Sequence, residues 1–196
     1  KVLTITGSIA ATGTATVGNT PRLGIGAAAD VVATAAVSGT FPAYGNSMTL
    51  AGISVGNLNV TLRTVPADSS PVAGATAVEI ASWNFGAVTE GMSIRSIKFT
   101  QTGSASAKDV TNVMIKVDGA QIGSTVASLA ADGTASFDLS SKPFAINTGV
   151  TKIVYLYADI SSGIVTGTTT RTIDFEVTSA TDVTVFGVNS GGSVTI

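Results

Sequence analysis

The chain has 196 residues, of which 44% are hydrophobic and 11% charged, with ten basic and twelve acidic side chains. The basic residues are scattered singly, which argues against a nucleic-acid partner, because such a partner requires a concentrated basic face. The chain contains neither Cys nor His, so disulfides, cysteine nucleophiles, Ser-His-Asp triads and zinc sites with Cys or His ligands are excluded.

The surface that this composition predicts is rich in hydroxyl groups and poor in charge. Charged residues make up about 25% of an ordinary globular chain, so Thr, Ser, Asn and Gly must cover much of this one. Weak like-charge repulsion favours packing against identical copies. The sequence contains no run of about 18 apolar residues, so it does not predict a membrane-spanning segment. We expect an exported protein in which Lys1 is the first residue left after processing.

The first predicted element is an unusually long strand over residues 2–17. It begins at Val2, and its odd positions are apolar or small: Leu3, Ile5, Gly7, Ile9, Ala11, Gly13, Ala15 and Val17. The even positions mostly carry hydroxyls, and this alternation is typical of a strand with one buried face. At about 3.3 Å per residue it would extend roughly 50 Å, far beyond an ordinary strand. We predict that this arm, residues 1–18, leaves its own subunit and completes the sheet of a neighbour.

Alternation also predicts strands further along the chain, whereas helical periodicity is nearly absent. Leu58, Val60 and Leu62 share one face of a predicted strand. Two Asp-Gly pairs, Asp118-Gly119 and Asp132-Gly133, predict hairpins, because Asp-Gly readily supplies the positive φ angles of a type I′ turn.

Three other stretches predict how strands bend or pack. In residues 78–85 and 92–99 the apolar side chains begin at even positions and continue at odd positions. Such a shift within one strand indicates a β-bulge. Residues 152–160 are apolar at both parities, which predicts a central strand covered on both faces.

A weak internal repeat links the two ends of the chain. Asp30 precedes Ser38-Gly39 by the same interval at which Asp182 precedes Ser190-Gly191. One explanation is chance matching in a chain rich in Ser, Thr and Gly. The other is that residues 22–50 are the closing strands of a sandwich without its opening strands. In that case subunits meet end to end, and one supplies strands that another lacks.

Several short segments carry a resemblance to a known class of module. They read NSMTL at 46–50, LNVTL at 58–62, VAGAT at 72–76, DVTNV at 109–113 and ADI at 158–160. Residues 46–196 thereby resemble the tandem immunoglobulin-like modules of bacterial surface proteins. The resemblance implies an extracellular, non-catalytic module of cell-surface layers or appendages. The arm is similar in principle, without a matching motif, to the donor strands of strand-complemented pili and other filaments.

The predicted fold is all-β: an antiparallel β-sandwich of immunoglobulin-like or jelly-roll type with an extended N-terminal strand. Residues 1–18 form the donor-strand arm, and residues 19–196 form the sandwich domain. Within that domain, residues 19–55 are extra strands and residues 56–196 are the immunoglobulin-like core.

Few residues in the chain indicate chemistry. Asp174 and Glu176 share a strand face and are the only pair considered for glycoside hydrolysis, but a solvated outer face explains them better. Trp83 and Phe85 fit a protein core better than a ligand-stacking patch. Asn59 lies in a sequon and is a candidate glycan site. Calcium is the metal considered, and its weak candidate ligands are Asp30, Asp109, Asp118, Asp132 and Asp182.

The functional prediction follows from the arm. We expect a non-enzymatic structural subunit of an extracellular filament, such as a pilus, fibre or tube, which polymerises with identical subunits by donor-strand complementation. The alternative is a carbohydrate-binding or adhesive sandwich module of a larger cell-surface or S-layer protein. A third candidate, the acid-pair hydrolase, requires a cleft around Asp174 and Glu176.

Overall fold

The computed structural model describes residues 16–52, 55–66, 71–163, 171–194 and 196, together with residues 2, 4 and 6. Contacts divide the chain into two units, residues 1–53 and residues 54–196. The helices among the described residues are two three-residue 3₁₀ turns, Ala28–Asp30 and Ala180–Asp182. Neither is long and apolar enough to cross a membrane.

Unit 1, residues 1–53, contains a small two-stranded sheet. Strand β1 (Gly24–Ile25) pairs in antiparallel fashion with β2 (Ala43–Tyr44). The Arg22 guanidinium lies 4.5 Å from the centre of the Tyr44 ring and donates a hydrogen bond from Nε to the Gly45 carbonyl. The first 3₁₀ turn connects β1 to the segment that follows it.

The described residues of unit 2 (residues 54–196) form ten strands. They are β3 (Asn57–Leu62), β4 (Val78–Val88), β5 (Met92–Gln101), β6 (Val110–Val117), β7 (Ala120–Ser128), β8 (Thr134–Asp138), β9 (Phe144–Ile146), β10 (Thr151–Ile160), β11 (Phe175–Glu176) and β12 (Val183–Gly187). The first sheet has the order β3-β4-β10-β6-β7. In the second sheet β5 is central, with β11 and β12 along one side and β8 and β9 along the other. Every pairing is antiparallel, so the fold is an antiparallel β-sandwich as predicted.

The core of unit 2 is built from large apolar side chains of both sheets. Phe85 and Trp83 come from β4, while Phe99, Phe137 and Phe175 come from the second sheet, and all five are buried. The Trp83 and Phe99 rings lie 4.5 Å apart between centroids. Burying one such side chain stabilises the fold by about 1.5–3 kcal/mol. The prediction that Trp83 and Phe85 belong to the core is confirmed.

Both predicted bulges are present. On β5, Ile97 and Ser96 pair with Val183 and Thr184, but Ile94 pairs with Val185, so Arg95 is the extra residue. On β4, Ala81 pairs with Leu156 of β10 and Glu79 pairs with Tyr157, so Ile80 is the extra residue. The bulge on β5 allows Ile94 and Ile97 to be fully buried together, although their spacing would otherwise place them on opposite faces.

One of the two predicted hairpins is confirmed and the other is wrong. Asp118 and Gly119, at φ values of 50° and 80°, join the paired strands β6 and β7. Asp132 and Gly133 do lead into β8, but β7 belongs to the first sheet and β8 to the second. The Asp-Gly pair here closes a turn in a connection between sheets, held by the Gly133 N–H donating to the Ala130 carbonyl.

Strand β10 is central in the first sheet, as predicted, but it is not covered by protein layers on both faces. Its inner face is buried, whereas Tyr155 and Tyr157 on the outer face are only half-buried. Long basic side chains shield these rings, since Lys116 Nζ lies 4.6 Å from the Tyr157 centroid and Arg63 lies over Tyr155. Strand β10 is apolar on both faces because one face packs in the core and the other lies under the long basic side chains of Lys116 and Arg63.

A buried carboxylate organises the second 3₁₀ turn. Asp182 accepts hydrogen bonds from the backbone N–H groups of Thr178 and Ser179, each at 2.9 Å, and its other oxygen lies 2.7 Å from Lys98 Nζ. Burial alone would raise the pKa of Asp182, but the hydrogen bonds from Lys98, Thr178 and Ser179 outweigh it and lower that pKa. The turn is thereby fixed to β5.

We expect Asp182→Ala to lower the free energy of unfolding of unit 2 by about 2–3 kcal/mol, because several donors lose one acceptor. Urea denaturation followed by the fluorescence of Trp83, the single Trp of the chain, measures this loss. Asp30→Ala is the matched control in the exposed turn of unit 1 and should change the Trp83 transition by less than about 0.5 kcal/mol. Equal effects of the two substitutions would contradict the assignment.

Candidate functional site

Strand β3 forms one edge of the first sheet, and its backbone is paired on one side only among the described residues. The Arg63 N–H donates to the Ser82 carbonyl at 2.9 Å, which fixes the direction of the ladder toward β4. Because backbone groups alternate along an antiparallel strand, those of Leu58, Val60 and Leu62 face the free edge. An edge of this kind is a template for a further strand.

An open groove of about 380 Å³ lies beside this edge. Its apolar lining comes from both sheets and from Ile196. The apolar lining residues are Val60, Leu62, Trp83, Val177, Ala180 and Ile196, and the polar ones are Glu176, Thr178 and Ser179. Leu62 is 58% exposed, so the apolar face of β3 continues from buried Leu58 into the groove.

The groove exists because the second sheet ends early on this side. Strand β11 pairs with β5 only at Phe175 and Glu176, after which the chain enters the turn that Asp182 holds. Val177 is therefore half-buried at the sandwich margin instead of being covered by another strand. The first sheet continues opposite this point through Val60 and Leu62, so its apolar face is left open.

The C-terminal segment that supplies Ile196 is fixed by a second buried carboxylate, Glu90. Glu90 accepts hydrogen bonds from the N–H groups of Gly56, Asn189 and Ser190, each at 2.9 Å, and from the Ser190 hydroxyl at 2.8 Å. A Cβ on Gly187 would lie within 2.4 Å of the Glu90 carboxylate, so only glycine fits there. Glu90 thus joins the start of β3 to the turn after β12.

Hydrogen bonding also makes Glu90 an unusually strong acid. The backbone N–H of Ser190 contributes most, followed by that of Gly56 and by the Ser190 hydroxyl, and together they lower the pKa of Glu90 to about 2. A folded-state pKa below the unfolded value stabilises the fold above the unfolded pKa, and this contribution is lost as the pH falls through the folded pKa. The window is from about 4.5 down to about 2.

The chemistry of the groove suits an extended apolar partner. Among the described lining residues Glu176 carries the one ionisable side chain and is exposed, Thr178 and Ser179 supply hydroxyl groups, and Trp83 supplies an indole N–H. Alternate side chains of a docked strand would enter the groove, and its backbone would bond to the free edge of β3. Asp174 and Glu176 are both exposed beside buried Phe175, in agreement with a solvated outer face.

The predicted donor residues are only partly described. Val2 is 93% exposed. Val17 is 66% exposed, but the prediction that the strand runs to this residue is wrong, because Val17 lies in a turn that the Asn19 N–H closes by donating to the Thr16 carbonyl, and the next residue, Gly18, donates to the Leu50 carbonyl of the same unit. The other predicted interface residues lie outside the described residues: Leu3, Ile5, Gly7, Ile9, Ala11, Gly13 and Ala15. Asn59, the sequon residue, is exposed on β3.

The calcium candidates are separate and each has a local partner. Asp30 and Asp132 accept hydrogen bonds within their own turns, from the N–H groups of Ala27 and Thr134. Asp118 forms an ion pair with Lys152 at 2.5 Å. Within the described ranges no three acidic side chains come together as a metal-binding group. Asp109 and Asp182 form ion pairs with Arg171 and Lys98.

Comparison with protein-family models finds no match for this chain, and comparison with curated proteins finds none.

Two features of the site were not predicted from the sequence. Alternation placed Leu58, Val60 and Leu62 on one face, but no local pattern showed that Val60 and Leu62 line an open groove with Val177. The sequence around Glu90 does not show that its carboxylate is buried, because its hydrogen-bond partners, such as Gly56 and Asn189, are distant in sequence. The sign of the groove is that the apolar face of β3 continues from buried Leu58 to exposed Leu62.

We expect Glu90→Gln to lower the free energy of unfolding at about pH 7, because the amide cannot accept all four hydrogen bonds. The difference from the native chain should shrink as the pH falls from about 4.5 to about 2. Urea titrations across this range measure it. Glu176→Gln, at an exposed carboxylate, is the control and should cost little at any pH, and a difference for Glu90→Gln that is independent of pH would contradict the assignment.

Proposed function

We propose that this protein is a structural subunit of an extracellular filament, in which subunits join head to tail by strand complementation. Part of the arm of one subunit (residues 1–18) docks along the six residues of β3 in the next and places alternate side chains in the groove. The observation that carries the proposal is an unpaired sheet edge directly beside an open apolar groove. The sandwich in this proposal is of immunoglobulin-like or jelly-roll type, as the resemblance to bacterial surface modules implies.

The arm has the pattern that such a groove requires. Its odd positions are apolar or small over residues 3–17, and the bulky ones are Leu3, Ile5, Ile9 and Val17. Each bulky side chain contributes about 1.5–3 kcal/mol if it is fully buried. Backbone hydrogen bonds to Leu58, Val60 and Leu62 would fix the register of the arm against β3.

A head-to-tail contact of this kind extends into a filament when its rotation does not close a ring. The arm and the groove are different surfaces of the same chain, so each contact leaves one arm and one groove free. A low charge density and a surface rich in Thr, Ser and Gly support close packing of identical copies. The proposed site of assembly is outside the cell, as the resemblance to bacterial surface modules implies.

We expect deletion of residues 1–17 to abolish polymerisation, and Leu62→Asp and Ile5→Asp to weaken it at least about tenfold, because each aspartate places an unpaired charge in the groove. Sedimentation velocity of the purified variants measures the size distribution. Thr61→Asp is the matched control, since Thr61 is exposed on the opposite face of the same strand and should leave assembly intact.

Polymers formed by the deletion variant would falsify the proposal. Loss of assembly on deletion, with normal assembly of Leu62→Asp, would contradict the groove as the acceptor.

A further inference from the structure

The sequon at Asn59 lies on strand β3 with its two recognition residues on the exposed face. Asn59-Val60-Thr61 is the single Asn-x-Ser/Thr sequence of the chain. Asn59 and Thr61 are exposed on the outer face of the first sheet, while Val60 between them lines the groove on the other face. The side chains that define the sequon are therefore accessible and separate from the groove.

A gap in the outer face of the sheet begins at Asn59. Gly86 of β4 lies directly between Asn59 of β3 and Thr151 of β10, since it pairs with both. A Cβ at Gly86 would lie 3.1 Å from Thr151 Oγ1 and 4.0 Å from the Asn59 Cβ, so a side chain there would fill the space between them. With glycine at this position, the space next to the Asn59 side chain stays open toward β10.

This gap is part of an open depression of about 460 Å³, which we call the polar depression. Its lining consists mainly of hydroxyl groups, amides and glycines, with two small apolar side chains and no charge: Asn59, Thr61, Asn84, Gly86, Ala87, Val88, Thr89, Thr148, Gly149 and Thr151. The turn that supplies Thr148 is fixed to the end of β4, because the Gly149 N–H donates to the Ala87 carbonyl at 2.9 Å and the Ala87 N–H donates to the Val150 carbonyl at 3.0 Å.

The chemistry of this lining suits a saccharide that is attached to the chain. Hydroxyl and amide groups both donate and accept hydrogen bonds, so they can match the many hydroxyls of a sugar. The lining holds no aromatic side chain, and the depression is open, so a free sugar would find little surface to bury itself against. A covalent link to Asn59 removes this difficulty, because it holds the sugar beside the lining at a high effective concentration.

We propose that Asn59 carries an N-linked oligosaccharide whose first saccharide lies in the polar depression. The donor is an oligosaccharide linked through diphosphate to a lipid, and a membrane-bound transferase catalyses the step. Asn59 Nδ2 forms a bond to the anomeric carbon as the bond from that carbon to the phosphate oxygen breaks, the lipid diphosphate leaves, and Nδ2 loses one proton to a base of the enzyme. Because the glycan and the groove are on opposite faces of β3, the glycan leaves the groove accessible to a docked strand.

The first test is secretion of the full-length chain from cells that transfer an oligosaccharide beginning with N-acetylglucosamine to Asn-x-Ser/Thr sequences. Intact mass and peptide mapping of the purified chain should show one glycan, at Asn59. Asn59→Gln and Thr61→Ala should abolish the added mass, whereas Thr61→Ser keeps the hydroxyl and should retain it. Asn57→Gln is the matched control, because Asn57 is exposed on the same face of the same strand but outside the sequon.

Met48→Thr supplies a positive control within the same molecule. Met48 is 68% exposed, and this substitution creates a second sequon at exposed Asn46 in unit 1. A chain that gains a glycan at Asn46 but has none at Asn59 would overturn the proposal, because transfer and export have then succeeded and Asn59 has been passed over. Occupancy is read on the isolated chain, so this result is independent of whether the chain forms filaments.

The second test locates the first saccharide on the folded chain. Nuclear Overhauser effects should connect its protons with the methyl groups of Thr148 and Thr151, which line the polar depression. Gly86→Gln should leave the glycan attached at Asn59 but abolish these effects, because the new side chain occupies the space between Asn59 and Thr151. A native glycan that shows no such effects would overturn its placement in the depression, as would effects that persist unchanged in Gly86→Gln.

Discussion

Within the described part of the chain, the backbone of β3 is unpaired on its outer side, and this sheet edge is the constraint on which the account depends. The N–H and C=O groups of Leu58, Val60 and Leu62 face away from β4, beside apolar side chains that only partly cover one another. Natural sheets usually protect such an edge with charge, proline or a covering segment. Here the edge is instead continuous with an apolar groove, which is the arrangement that strand addition requires.

Two buried carboxylates keep the margin of the sandwich in place around that groove. Asp182 fixes the turn after β11 to Lys98, and Glu90 fixes the turn after β12 to Gly56 at the start of β3. Both have a lowered pKa because donors surround the ionised form. The groove is therefore held open by charged groups with complete sets of partners, and acid weakens the same contacts that shape it.

The parts of the fold that depend on local pattern could be predicted from the sequence. Alternation located the strands, the phase changes located the bulges at Ile80 and Arg95, and Asp118-Gly119 located a hairpin. The Asp132-Gly133 prediction failed because the same turn chemistry serves a connection between sheets. The groove could not be predicted, because it forms where Leu62 and Val177 meet across a long stretch of chain, and alternation says only which residues are apolar.

The central claim is that the arm of one copy lies against β3 of another. The most direct measurement places a photo-crosslinking amino acid at Ile5 in isotopically labelled chains, mixes them with unlabelled chains and maps the crosslinks by mass spectrometry. The account predicts crosslinks between labelled and unlabelled chains, at residues 58–62 or at residues 176–180 and 196. Crosslinks found only within one copy, or only at surfaces remote from β3, would contradict it.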